Sequence, residues 1–168
     1  MEICRRENAL EISELDPFLA ELLRQIPESA TAQDSPRAKA RIYSAPAAES
    51  EKGIHQEWKL YVQPELQRLF QSSTETVASD LKQLCGNEKA FANRSFKIPA
   101  EHADAWLNAL NQARLAIAAT NDFTESELGD HYRSPLGSRR DLSLFQVNFY
   151  GFLQELILRE ICGYGSRD

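Results

Sequence analysis

The chain has 168 residues, the size of one domain, so it is long enough to fold around its own core without a disulfide or metal staple. Hydrophobic residues at 42% and charged residues at 26% argue against a disordered chain. A net charge of −6 argues against a nucleic-acid or anionic-membrane surface as the main binding face.

The start, Met1 to Arg6, lacks the apolar core of a signal peptide. No uninterrupted apolar run anywhere approaches the ~20 residues that span a bilayer. The expectation is a cytoplasmic protein with no membrane partner. Residues 2 to 14 predict a small hairpin, with Ile3 on one run, Leu10 and Ile12 on the other, and Arg6-Glu7-Asn8 as the turn. Ser13 is placed to cap the next helix. Leu15, Phe18, Leu19, Leu22, Leu23 and Ile26 follow at spacings of three and four, one apolar helical face that Pro27 is expected to end.

The stretch from about 28 to 50 holds Pro36 and Pro46 and few large apolar residues. It predicts a flexible loop or linker, with Arg41-Ile42-Tyr43 as a candidate short strand and a solvated basic run at Arg37 to Arg41. Ile54, Trp58, Tyr61 and Val62 make a helical stripe. Pro64 suits a first helical turn. Leu66, Leu69, Phe70, Val77, Leu81 and Leu84 continue the spacing, with Ser72-Ser73-Thr74 as a weak point and Gly86 as a stop.

Phe96 and Ile98 alternate about Lys97, a further short strand ending at Pro99. A helix is expected from about Ala100 to Ala119 on the face of Ala103, Trp106, Leu107, Leu110 and Ile117. Thr124 to Glu127 and Ser138 to Asp141 both have the form of capping boxes. The last helix, from Leu142 to Ile161, is apolar on nearly every side, which requires central burial or a face shared with a partner. The fold class is therefore mainly α: a helical bundle-like single domain over 1–168 with a small amino-terminal β-hairpin and one further short strand.

The chain carries no phosphate-binding glycine loop, no nucleophile elbow and no dinucleotide fingerprint. His55, His102 and His131 are not at metal-ligand spacings, and Cys4, Cys85 and Cys162 form no C-x-x-C pair. No cofactor and no metal are expected. Arg114 lies on the apolar face of its helix with Asn111 three residues before it. It reads either as a structural arginine needing a carboxylate or carbonyl partner, or as an anion- or partner-binding one. His102 and Asp104 at the start of that helix read as helix-end charges or, with Arg114, as the site of a small enzyme. His131, Arg133, Arg139 and Arg140 form a basic loop. Gln146 and Asn148 interrupt the last apolar helix.

Three blocks carry a family resemblance: Tyr61-Val62-Gln63-Pro64-Glu65-Leu66 with Phe70 and Val77 to Leu81; Trp106 to Leu115, with its Leu-Asn-x-x-Arg-Leu core; and the apolar terminal helix from Leu142. In these the chain resembles the bacterial family called domain of unknown function 2017. That family includes actinobacterial regulators of the oxidative-stress response that act through a protein partner such as a sigma factor and use a thiol switch. The resemblance implies a non-enzymatic regulatory or protein-interaction role, with Trp106, Asn111 and Arg114 as structural or partner-binding family-motif residues. If a thiol switch is present, Cys4 and Cys162 are its candidate pair. Cys4, beside Arg5 and Arg6, is the attacking thiol, because neighbouring cations favour a thiolate. Cys162, at a helix end, is the resolving one, and Cys85 is the spare. The alternative is three inert small hydrophobes.

Overall fold

The computed structural model describes residues 1–31, 35–46, 52–85, 95–129 and 137–162. The amino-terminal alternation folds as expected. β1 (Glu2–Arg6) and β2 (Ala9–Ser13) pair antiparallel from Glu2 opposite Ser13 to Arg6 opposite Ala9, and Glu7 in the two-residue turn has φ of 52°. β3 (Phe96–Pro99) adds to the other side of β2, giving the order β1-β2-β3. Ile3, Leu10, Ile12, Phe96 and Ile98 are all buried on one face of this small sheet, as a period of two requires.

Two early expectations change. α1 (Pro17–Arg24) is capped by Asp16, whose carboxylate accepts from the Leu19 N–H at 2.9 Å, and Ser13 stays in β2. Pro27 does not end the helical path. It lies in the first turn of α2 (Ile26–Thr31), where a missing N–H costs nothing. Within the stretch expected as loop or linker, α2 continues to Thr31 and α3 (Pro36–Ile42) starts on a Ser35 cap. Arg41 and Ile42 end α3 and form no strand. The cap and the Pro36 start override the weak apolar pattern.

α4 (Lys52–Glu57), a π-helical turn (Trp58–Val62) and α5 (Gln63–Leu81) run on as one long helical path. The π turn ends just before Pro64, whose ring cannot sit against a regular preceding turn. The Ser72-Ser73-Thr74 cluster does not break α5. Ser73, Thr74 and Thr76 donate their hydroxyls back to the Leu69, Phe70 and Ser72 carbonyls at 2.9–3.0 Å, so they compete with nothing. Val77 and Leu81 enter the core. Arg24 donates to the Leu84 carbonyl at 2.9 Å and fastens α1 to the 3₁₀ turn after α5. Gly86 lies outside the described residues.

α6 (Ala103–Asn121) is the axis of the molecule and packs against α2, α3, α5 and α8. Ala103, Ala109, Ala113 and Ala116 are buried along it, and such small side chains let the neighbouring helices come close. Both capping-box sequences start a helix, the first with the full reciprocal pair and the second through its serine. Thr124 and Glu127 exchange bonds at the start of α7 (Glu125–Gly129), and Ser138 caps α8 (Arg139–Cys162) through the Asp141 N–H. Arg140 clamps α7 to α8. It donates to Glu127 at 2.6 Å and to the Asn121 carbonyl, and its guanidinium lies 4.4 Å over the Phe123 ring. The Thr124 N–H and Arg140 hold the Glu127 carboxyl below its ordinary range. α8 buries Val147, Phe149, Tyr150, Leu153, Leu156 and Ile157, while Leu142, Phe152, Leu158 and Ile161 reach solvent. It is therefore not buried on every side. No helix among the described residues is long and apolar enough to cross a membrane.

Candidate functional site

The residues singled out in the sequence fall at several separate places. Trp106 is wholly buried, against Phe96 of β3 with ring centres 5.6 Å apart. Its indole N–H donates to Asp80 on α5 at 2.9 Å. His102, at the start of α6, places Nδ1 3.0 Å from both oxygens of the same carboxylate. A carboxylate only accepts, so Nδ1 carries the proton. His102 thus pairs with Asp80 and not with its sequence neighbour Asp104, which is exposed. Asp80 was not singled out in the sequence; its only signal is a carboxylate one turn from Val77 on an otherwise apolar face.

Arg114 lies twelve residues further along α6, roughly 18 Å by helical rise, and faces α8. Its Nη1 donates to Gln154 Oε1 at 2.7 Å, and Gln154 Nε2 donates back to the Leu107 carbonyl at 3.0 Å. Gly151 makes room for it: a Cβ on Gly151 would stand 3.2 Å from the guanidinium carbon. Of the two partners expected for Arg114, a carboxylate or a carbonyl, the structure supplies an amide carbonyl. Its Nε is buried without a hydrogen bond among the described residues. Asn111 is exposed and does not join it. His102, Asp104 and Arg114 therefore do not converge, and the small-enzyme site expected from them is not assembled.

Gln146 donates to the Tyr150 hydroxyl at 2.7 Å and to Gln25 at 3.2 Å, and the Tyr150 hydroxyl donates to the Leu22 carbonyl at 2.6 Å. Burial pushes the Tyr150 phenol well above its ordinary pKa. Asn148 Nδ2 has no partner among the described residues. In the expected basic loop, Arg140 is engaged as described and Arg139 is exposed. His131 and Arg133 lie outside the described residues.

Cys4 is half-buried on β1 and Cys162 is exposed at the end of α8; both are free thiols. The fold brings their elements together, because the Arg5 N–H donates to Glu160 of α8 at 3.3 Å. Cys4 lies directly across from Glu11, which pairs with Arg6 at 3.5 Å on the same face.

The most conspicuous surface is the first part of the long helix. No residue from 53 to 72 is fully buried. Ile54, Leu60, Tyr61, Val62 and Leu69 are exposed, Leu60 and Tyr61 at 65% and 68%. Separations of seven and eight, two helical turns, gather Ile54, Tyr61, Val62 and Leu69 into one largely exposed stripe. The sequence marks this stripe as helical but not as uncovered.

A family model, domain of unknown function (DUF2017), matches residues 5–161. The chain belongs to that family. The match runs from β1 to the last turn of α8, so the DUF2017 unit here comprises the sheet, the long helix and the α6–α8 pair. Trp106, Asn111, Arg114 and Cys4's neighbour Arg5 fall near or within it; Cys4 and Cys162 flank its two ends. No curated protein and no solved structure matches the chain.

Proposed function

We propose that this DUF2017 chain is a non-enzymatic cytoplasmic regulatory protein that works by holding a protein partner. The observation that carries the reading is the uncovered apolar stripe on the 54–69 part of the long helix. A contiguous exposed apolar face of this kind marks an interaction surface. Amphipathic helices bind partners through apolar anchors that recur on one face in this way. Phe152 and Leu158 of α8 are exposed as well, on a different helix. Direct nucleic-acid binding has no place in the proposal, in keeping with the net charge of −6.

The finer reading comes from the family resemblance: a bacterial regulator of the oxidative-stress response whose partner is of the sigma-factor kind. It draws support from the approach of β1 to the end of α8. Peroxide would oxidise the Cys4 thiol to a sulfenic acid with loss of water, and Cys162 would displace a second water to close the disulfide.

The test is capture of partners at native expression by the wild type and by a Tyr61→Ser, Leu69→Ser double variant. The wild type retains a specific protein that the variant loses. Absence of any specific partner, or equal retention by both, refutes the proposal. Non-reducing peptide mapping after mild peroxide tests the finer reading separately: a Cys4–Cys162 link that dithiothreitol removes supports it, and three free thiols refute it.

A further inference from the structure

The opposite face of the same helix lines a cleft. Lys59, Gln63, Gln67 and Gln71 recur every four residues along it and form one wall. Lys39 and Tyr43 of α3 form the other wall. Thr31 and Ala30 of α2 close one end, and Gln112 of α6 lines the bottom. The cavity is about 780 Å³, within the roughly 300–1,000 Å³ typical of small-molecule sites.

The chemistry of its lining is selective. Lys39 and Lys59 make no ion pair among the described residues, whereas Glu75, the carboxylate in the lining, already accepts from Gln71 at 2.9 Å. Two lysines against one carboxylate leave the cleft with a net positive charge in a chain whose net charge is −6. Tyr43 and Phe70 place their rings 5.9 Å apart, an aromatic shelf at its edge. Burial raises the Tyr43 phenol, which keeps it protonated and able to donate. Gln112 is 3% exposed, and its Nε2 makes no hydrogen bond among the described residues. A buried carboxamide with an unused donor is rare unless something pairs with it, because its desolvation is otherwise uncompensated. Gln63 and Gln67 add carboxamides with no partner among the described residues, each both a donor and an acceptor.

We propose that this cleft binds a small organic anion, a carboxylate or a phosphate monoester, carried on a flat ring. The anionic group sits between Lys39 and Lys59. The ring lies on the Tyr43–Phe70 shelf, and the glutamine carboxamides pair with its polar edge. This site is independent of the partner-binding stripe, because the two occupy opposite faces of one helix.

The test is a nuclear magnetic resonance titration of the full chain with four probes: salicylate and adenosine monophosphate as the two kinds of anion, and salicylamide and adenosine as their neutral counterparts. At least one anion shifts the Tyr43, Phe70 and Gln112 side-chain signals at millimolar concentration. Which anion does so distinguishes a carboxylate from a phosphate site. Its neutral counterpart binds about tenfold more weakly, as does the anion to a Lys39→Gln, Lys59→Gln double variant, since two partly exposed charges together contribute on that scale. Both lysines are exposed, so the variant folds, and Arg159→Gln, at the end of α8 that meets β1 and outside the cleft lining, binds as the wild type does. No shift with either anion, equal binding of the neutral counterparts, or undiminished binding by the double lysine variant overturns the proposal.

Discussion

Gly151 has no side chain, and that absence is what lets Arg114 lie against α8. A glycine inside a helix ordinarily costs about 1 kcal/mol relative to alanine. Here a Cβ would meet the guanidinium at 3.2 Å while Gln154 holds the same group at 2.7 Å. Gly151→Ala is therefore expected to bring none of the usual gain in wild-type protein and to recover it in an Arg114→Ala background. Additive unfolding free energies in that double-mutant cycle would show that the two residues do not touch. Arg114→Ala alone is expected to cost about 1.5–3 kcal/mol, the worth of a charged hydrogen bond, against less than about 0.5 kcal/mol for the exposed Arg139→Ala. Equal urea midpoints would contradict this. Tyr150 gives a pH-dependent counterpart. Burial raises its phenol in the folded state, so its contribution to stability is full below the unfolded value near 10 and falls as pH climbs past it. Tyr150→Phe should flatten the alkaline loss of stability in urea titrations; an unchanged slope would mean that the phenol ionises as freely in the fold as outside it.

At the scale of elements, the legible signals were those written in local spacing or caps. The hairpin, β3, α6, both capping boxes and the mainly helical character follow from alternation, three-and-four spacing and Ser/Thr-x-x-acid patterns. The expectations that changed depended on information that such patterns do not hold. Pro27 and Pro36 stand equally well at a helix start or a helix end, and only neighbouring packing decides which. The serine-threonine cluster in α5 looks like a break until its hydroxyls find carbonyls one turn back. The partners of His102 and Arg114 come from α5 and α8, distant in sequence, so the Asp80 carboxylate and the Gln154 amide were not visible beside them. The lock between α5 and α6 can be tested. Asp80→Ala strands the buried Trp106 N–H and the His102 Nδ1–H together, and should cost at least about 2 kcal/mol. An unfolding midpoint within experimental error of wild type would show that water replaces the carboxylate.

For the molecule as a whole, the long helix has two levels of commitment. From Ser73 onward it contributes fully buried residues to the core, and from 53 to 72 its residues are exposed or half-buried. Tyr61→Ser with Leu69→Ser should therefore leave stability within about 1 kcal/mol of wild type, as two surface changes usually do. A larger loss would place these side chains in the fold. The sequence could show the stripe but not its exposure, because an apolar face reads alike whether its cover is the same chain or another. The π turn at Trp58–Val62 lies within the exposed level, between Ile54 and Leu69. A π turn holds one residue more than a regular ladder needs and takes it up by widening, so deleting that residue would leave the segments on either side near their present phase. Deleting a residue from the regular helix after Pro64 and before Gln67 would instead turn everything upstream by about 100° relative to the body. Ile54 would then swing out of line with Leu69, and Lys59 out of line with Gln67. The π turn is thus a slack joint, able to take up a change of length that the regular helix beside it would convert into rotation.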